Sequence, residues 1–181
     1  MLSPSISNLS LLQILDLSFN GFNGRIPPKV GQLKALGMLG LSYNALDSSI
    51  PLEVGQLKAL GMLELSHNSL DGSIPKELCN CTRLQMLDIE HNYLRGQIPL
   101  ELGRLVRLDS LSLDNNVLSG SIPTSLGNCT SLTELDISRN NLSGPIPWEL
   151  GRLVRLEILF FYDNSINGSI LASINNCTSL Q

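Results

Sequence analysis

The sequence predicts an α/β repeat solenoid with one short parallel strand in each repeat, and three observations lead to that prediction. An asparagine recurs at a constant spacing of 24 residues. Alternating aliphatic residues come before almost every one of them, and a glycine and an Ile-Pro pair follow most of them. A fixed period of about 20 to 50 residues is the sequence signature of a solenoid. We therefore expect one domain over residues 1–181, with seven 24-residue repeats and a partial turn at each end.

The aliphatic alternation predicts the strands. Apolar residues at every second position, such as Leu63 and Leu65, indicate a strand with one buried face. Strands stacked one per repeat lie about 4.8 Å apart in a parallel sheet. A single repeat cannot close a hydrophobic core by itself, so stability comes from the stacking of neighbouring repeats.

The recurring asparagine lies where the chain leaves the strand and turns inward. A buried side-chain amide must be hydrogen-bonded, and the backbone groups of the adjacent turns are its available partners. We therefore predict a structural asparagine ladder made of Asn20, Asn44, Asn68, Asn92, Asn116, Asn140 and Asn164. The glycine four residues later suits a positive φ, although Ser48 takes that position in the second repeat. The proline after isoleucine fixes φ and removes a donor, which an outer wall tolerates and a central strand does not.

The whole pattern is L-x-x-L-x-L-x-x-N-x-L-x-G-x-I-P, as in LTELDISRNNLSGPIP from Leu132 to Pro147. It resembles the plant-specific class of leucine-rich repeats, which forms the ectodomains of receptor-like kinases and receptor-like proteins. The resemblance covers essentially the whole chain. It implies a right-handed superhelix with a parallel concave β-sheet and a mostly irregular or 3-10 convex side. Family ectodomains usually carry cysteine-paired caps, and this chain has none, so we expect the apolar ends near Leu2 and Leu180 to favour self-association.

Composition and charge narrow the function classes. The net charge is −4 and the pI about 5.1, which argues against a nucleic-acid-binding surface. No apolar run approaches the about 18 residues that span a bilayer, so we expect no membrane contact by this segment. No signal peptide follows Met1. The chain is therefore expected to be cytoplasmic if Met1 is the native start, and extracellular or at the cell surface if it belongs to a longer parent protein.

The cysteines are predicted to be buried free thiols. Cys81, Cys129 and Cys177 occupy a column that leucine fills in other repeats. They are two repeats apart, hence roughly 10 Å, which exceeds the about 7 Å that a disulfide can bridge. A bridge between Cys79 and Cys81 would close a strained loop. A thiol in such a column acts as a small hydrophobic side chain.

Six Asn-x-Ser/Thr sequons are candidate glycosylation sites. They begin at Asn8, Asn80, Asn128, Asn141, Asn167 and Asn176. Four of these share one column on the outer wall, where glycans would leave the strand face bare. This arrangement favours secretion of the parent protein.

The solvent-facing strand positions carry the candidate partner-binding residues. Asp88, Glu90 and His91 fall within four residues and look like an active site, but strand alternation places them together and an open sheet offers no cleft. We predict no catalytic residue, no metal site and no cofactor. An acidic strip beside a methionine stripe suits a partner with an apolar side chain and a basic group. The predicted contact residues are Met62, Glu64, His67, Met86, Asp88, Glu90, His91, Asp114, Asp136 and Arg139.

The aromatic pair Phe160 and Tyr162 is either a second anchor for a partner or the contact surface for a further repeat, and we favour the repeat.

These residues and the resemblance predict a binding module without enzyme activity. The resemblance implies a protein or peptide ligand, a wall fragment or a co-receptor, bound on the concave or lateral face of a receptor ectodomain. One alternative is an inhibitor of a wall-degrading hydrolase such as polygalacturonase, a protein type with the same repeat class. Another is an uncapped or engineered repeat scaffold that self-associates through its ends.

Overall fold

The computed structural model describes residues 2–168, so the predicted sites Asn176 and Cys177 and the apolar end at Leu180 lie outside the described residues. Within the described range, seven short strands form one parallel sheet in chain order. The register is in phase, because each residue pairs with the residue 24 positions further on, as Leu63 pairs with Leu87. The strands are Ile14–Asp16, Met38–Gly40, Met62–Glu64, Met86–Asp88, Ser110–Ser112, Glu134–Asp136 and Ile158–Phe160. The predicted repeat solenoid is confirmed.

A second set of parallel strands follows the ladder asparagines. Its members are Asn23–Gly24, Ala45–Ser49, Ser69–Asp71, Arg95–Gly96, Val117–Gly120, Asn141–Pro145 and Ser165–Asn167. They form a three-stranded and a four-stranded sheet. Backbone hydrogen bonds from Tyr93 N to Leu70 O (2.8 Å) and from Arg95 N to Gly72 O (2.7 Å) connect the two. This lateral sheet is an addition to the mostly irregular or 3-10 outer side that the resemblance implied.

Each Ile-Pro pair leads into a five-residue 3-10 helix. The 3-10 helices within residues 2–168 are Pro4–Asn8, Pro28–Gln32, Leu52–Gln56, Lys76–Asn80, Leu100–Arg104, Thr124–Asn128 and Trp148–Arg152. In six of them the preceding residue is a proline with φ between −61° and −69°. This is the φ that the pyrrolidine ring imposes. No helix in the described range is long and apolar enough to cross a membrane.

The core is a stack of aliphatic side chains in which Cys81 and Cys129 take leucine positions. Cys79, Cys81 and Cys129 are buried and free, as predicted. The thiols of Cys81 and Cys129 donate to the carbonyls of Val54 and Leu102, each at 3.3 Å. Burial raises the pKa of Cys79 to about 12 and that of Cys129 to about 11. At neutral pH these groups are therefore neutral thiols that pack as hydrophobic side chains.

Six of the seven ladder asparagines, from Asn44 to Asn164, bond through their side chains to their own repeat and to the one before it. Asn92 illustrates the arrangement: its Nδ2 donates to the carbonyls of Leu65 (3.0 Å), Ile89 (3.2 Å) and Glu90 (2.9 Å). Its Oδ1 accepts from the backbone N–H of Leu70 at 3.0 Å. Each interior asparagine thus satisfies backbone groups that the turn leaves without a secondary-structure partner.

The position four residues after the ladder asparagine requires a positive φ. Six glycines in the described range take it with φ between 74° and 87°, and Ser48 takes it with φ 66°. A non-glycine residue is strained in this region. The lateral strand Ala45–Ser49 therefore contains a strained residue that the other repeats avoid.

We expect Asn92→Ala to lower the free energy of unfolding by about 3 kcal/mol, because it leaves buried backbone groups of two repeats without partners. The matched control is Asn20→Ala, since within residues 2–168 the exposed side chain of Asn20 bonds only to the carbonyls of Leu17 and Ser18 in its own repeat. That variant should lose less than about 1 kcal/mol. Urea unfolding followed by circular dichroism measures both. Equal losses would show that the links between repeats contribute nothing.

Candidate binding face

The solvent side of the seven-stranded sheet, here called the concave face, brings the predicted residues into columns. The in-phase register places Met62 beside Met86 and Glu64 beside Asp88, and it places Asp136 two strands beyond Asp88 in the same column. All five side chains are half-buried. Burial raises the pKa of Asp88, and burial together with the charge of Asp88 raises the pKa of Glu64.

The residue before each ladder asparagine has a left-handed backbone conformation. All seven such positions within residues 2–168 have φ between 47° and 57°. Non-glycine residues seldom adopt this region. Because the conformation recurs every 24 residues, the seven side chains leave the backbone in the same direction at the rim of the sheet.

Four rings at this position form a continuous stack, which we call the ring column: Phe19, Tyr43, His67 and His91. Successive ring centroids are 4.3, 4.1 and 4.1 Å apart, and neighbouring ring planes are within 15° of parallel. The Nδ2 of Asn115 lies 2.6 Å from the Nδ1 of His91 and continues the column into the next repeat. The spacing of 24 residues makes the two histidines neighbours, and the stacking of the rings appears only in the structure.

Glu90 connects the ring column to the acidic strip. Its Oε1 lies 3.6 Å from the Nε2 of His67, and its Oε2 accepts a hydrogen bond from the Oγ of Ser112 at 2.9 Å. Burial raises the pKa of Glu90, but hydrogen bonds from Asp114 and Ser112 outweigh it, so this pKa lies below its usual value. Glu90 is therefore ionised at neutral pH, and hydrogen bonds fix the position of its carboxylate.

Asp114 differs from the sequence expectation of an exposed acid. The residue is only 4% exposed, and its Oδ2 lies 3.4 Å from a guanidinium nitrogen of Arg139. Burial, followed by the hydrogen bond with Glu90 and the charge of Glu90, raises the pKa of Asp114 to about 7. The reason is local, because two acids in one column of adjacent repeats face each other, and the charge on one disfavours the charge on the other.

Glu90 and Asp114 are not spaced like the two carboxyl groups of a glycosidase. Such enzymes separate their two carboxyl groups by about 5 to 9.5 Å so that a sugar or water fits between them. Glu90 and Asp114 bond directly to each other, and the backbone N–H of Glu90 donates to Asp88 at 3.3 Å. The cluster of Asp88, Glu90 and His91, which looks like an active site in the sequence, is thus part of a network of side-chain contacts along the sheet.

An open hollow of about 570 Å³ lies at the edge of the sheet where the strands begin. Met62 and Met86 line one part of it, and Arg107 and Arg155 line another. The two arginines were not among the residues predicted from the sequence, although both occupy the same offset in their repeats. The hollow joins the methionine stripe to positive charge at the edge of an otherwise acidic face.

The last described strand ends in an aromatic pair. Phe160 and Tyr162 meet edge to face with centroids 6.1 Å apart, and the guanidinium of Arg139 lies 5.2 Å from the centroid of Tyr162. Arg139 therefore contacts an acid of the preceding repeat and an aromatic ring of the following one.

The described sequon asparagines are all exposed and lie off the concave face. Asn8, Asn80 and Asn128 end 3-10 helices, whereas Asn141 and Asn167 lie in strands of the lateral sheet.

The comparisons with known proteins give the family. Two family models described as leucine rich repeat match the chain, and the matched residues are 48–94, 11–33, 107–129 and 131–153. The chain belongs to the leucine-rich repeat family. No curated protein sequence matches it.

Solved plant structures have the same fold. A plant peptide hormone receptor, RGFR1 in complex with RGF2, is 39% identical with a TM-score of 0.98, over 99% of this chain and 29% of that chain. The ectodomain of the Arabidopsis receptor kinase HAESA in complex with an N-terminally extended IDA peptide hormone is 36% identical with a TM-score of 0.93, over 99% of this chain and 30% of that chain. A plant ice-binding protein is 35% identical with a TM-score of 0.81, over 86% of this chain and 51% of that chain.

This chain thus spans less than a third of the two receptor chains. Because one fold serves a hormone receptor and an ice-binding protein, the function has to be argued from the chemistry of the face.

We expect the unfolding midpoint in urea of Asp114→Asn to exceed that of the parent chain at pH 7.5, with a smaller difference at pH 4.5. The folded-state pKa of Asp114 is about 7, above the about 3.9 of an unfolded chain. The protonated acid stabilises the folded chain, and this stabilisation is lost as the pH rises from about 3.9 to about 7. Asparagine keeps the hydrogen bond to Glu90 throughout that range. Asp71→Asn is the control, because Asp71 is in an exposed ion pair with Arg95. Parallel pH profiles for the parent chain and Asp114→Asn would contradict the assignment.

Proposed function

We propose that this chain is a protein- or peptide-binding module from the ectodomain of a plant receptor, and that it holds an extended ligand along the concave face. The observation that carries the proposal is the contiguous strip in which Met62 and Met86 lie beside Glu64 and Asp88 on adjacent strands. We also propose that residues 1–181 act as one domain and perform no catalysis.

The spacing of the strip supports an extended ligand. Adjacent strands lie about 4.8 Å apart, so a peptide that crosses the strands meets a new side chain at each strand. Its own rise is about 3.3 Å per residue, and it can therefore contact several repeats with a few residues. A ligand of this kind would also explain why the face has shallow columns and an open hollow rather than a deep cleft.

The chemistry of the strip supports a ligand that has a basic group next to an apolar side chain. Glu64, Asp88 and Asp136 form an acidic column that attracts positive charge. Flexible thioethers adapt to apolar groups of different shape. Half-burial strengthens the attraction between this acidic column and a basic ligand, because water screens a half-buried charge less than an exposed one.

The sequons and the similar receptors support an extracellular location for the parent protein. One of these receptors is a plant peptide hormone receptor and another is the ectodomain of an Arabidopsis receptor kinase, and the exposed sequons lie on the outer side and the lateral sheet. We propose that the parent protein is secreted or held at the cell surface, and that its glycans leave the concave face free for a ligand.

We expect protein secreted from plant cells to carry glycans at Asn80, Asn128, Asn141 and Asn167, because these asparagines are exposed. Mass spectrometry of proteolytic peptides before and after deglycosylation measures their occupancy. Asn80→Gln is the control and should remove one glycan only. A secreted chain with all four sites unmodified would remove the support that the sequons give to the location.

We expect the chain to select basic, apolar-containing peptides from a random phage-displayed library of about 12-residue peptides. The affinity of a selected peptide, measured by fluorescence anisotropy, should fall at least about tenfold for the double variant Glu64→Lys, Asp88→Lys, which reverses the charge of the strip. The affinity of the parent chain should also fall as salt is raised.

The matched control is the double variant Glu77→Lys, Glu101→Lys, which makes the same change of charge on two 3-10 helices of the outer side. It should retain the parent affinity within about twofold, because the altered charges lie off the face. Equal losses in the two double variants would mean that net charge, rather than the concave face, governs binding. Selected peptides that bind all three proteins alike would refute the proposed site.

A further inference from the structure

Three potential metal ligands meet at the rim of the concave face. One ligand atom each of His67, Glu90 and His91 can be chosen so that the three lie within 4.8 Å of one another. The residues come from two adjacent repeats, and both histidines occupy the left-handed position before a ladder asparagine, with φ 51° and 49°. The backbone therefore fixes their proximity.

We propose that His67, Glu90 and His91 form a binding site for a divalent transition-metal ion of the zinc type. Two imidazole nitrogens and one carboxylate oxygen are a donor set that suits Zn²⁺. Three protein ligands leave one tetrahedral position for water or for a side chain of a bound partner. The side chains of His67 and Glu90 are 30% and 29% exposed, so this position is accessible from solvent.

The ligand atoms are already close to one another, so the main adjustment is a reorientation of the two rings. Zinc binds nitrogen and oxygen at about 2.0 to 2.2 Å, so the ligand atoms of a tetrahedral site lie roughly 3.3 to 3.6 Å apart. The Nε2 of His67 is already 3.6 Å from the Oε1 of Glu90. The two imidazole rings are stacked at 4.1 Å with planes 13° from parallel, so at least one ring must rotate out of the stack before both in-plane nitrogen lone pairs can point at one ion. Both histidines are half-buried, and zinc binding would therefore open this part of the ring column.

Neighbouring side chains hold the ligands as an outer shell would. Ser112 donates to the Oε2 of Glu90 at 2.9 Å and leaves the Oε1 directed at His67. The side-chain amide of Asn115 contacts the Nδ1 of His91 at 2.6 Å. With its amide turned by half a rotation, Asn115 would accept a hydrogen bond from the Nδ1–H and leave the Nε2 of His91 free for the metal. Such partners orient ligands and typically change metal affinity about 10- to 100-fold.

The nearest positive charge in this column is paired with an acid. Arg139 lies at the same offset two repeats beyond His91, and its guanidinium is 3.4 Å from Asp114, which partly offsets its charge at His91. A bound divalent ion would reverse the local charge beside Glu90 and offer a coordination position to a ligand. Metal binding is separate from the proposed peptide binding, so a metal titration of the chain alone tests it without any peptide.

The experiment titrates ZnCl₂ into the full chain at pH 7.5 by isothermal calorimetry. All proteins carry Cys177→Ser, so that this thiol, outside the described residues, cannot bind zinc. We expect one ion per chain with a dissociation constant in the range of about 1 to 10 µM. His67→Tyr and His91→Asn should each weaken binding at least about tenfold, and Ser112→Ala should weaken it about threefold or more.

The two histidine replacements preserve the fold, because Tyr43 and Asn115 occupy the same position in neighbouring repeats. Asp71→Asn removes an exposed carboxylate of the lateral sheet and should leave zinc affinity unchanged. Nitrogen-15 NMR of the imidazoles adds a direct readout, since zinc should shift the ring resonances of both histidines. Equal zinc affinity in the parent and His67→Tyr, or no saturable binding by the parent, would overturn the proposal.

Discussion

The structure depends on one constraint, which is that backbone groups turned into the core at each strand exit must find hydrogen-bond partners. The ladder asparagine supplies them from within the chain. Its amide serves carbonyls of two repeats, and its Oδ1 serves an N–H of the earlier repeat, as Asn116 does for Leu94. Because each amide connects two repeats, the spacing between asparagines cannot change without breaking bonds on both sides. The in-phase register of the sheet follows from this link.

The same constraint shapes the binding face. To direct its asparagine inward, the chain passes through a left-handed residue immediately before it, and that residue projects to the rim. The repeats tolerate a phenyl ring, a phenol, imidazoles, an amide, a guanidinium and a carboxylate there, from Phe19 to Asp163. The backbone strain of this position is therefore independent of the chemistry of its side chain. The framework fixes where a group points, and the sequence of each repeat decides which group it is.

Much of the fold was predictable because it is periodic. The spacing of 24 residues, the alternation of Leu63 and Leu65, and the proline at the start of each 3-10 helix all have local physical causes that a sequence displays. The lateral sheet was not predicted, because strands such as Arg95–Gly96 are too short to show an alternation. The candidate site was predictable as columns of residues only. The burial of Asp114 depends on Glu90 and Arg139 in the two adjacent repeats, and no pattern within one repeat reveals it.

The column that contains Asp114 shows how strongly such neighbours act. Where two serines are adjacent in it, the Oγ of Ser66 donates to the Oγ of Ser42 at 2.9 Å, and the contact is a neutral hydrogen bond in the core of the face. Where two acids are adjacent, the same geometry lowers the pKa of Glu90 and raises the pKa of Asp114. The backbone is equivalent in both places, so the difference comes from side-chain identity alone. In this fold a change of one residue therefore alters the charge of two repeats, and the properties of the face belong to pairs of repeats rather than to single ones.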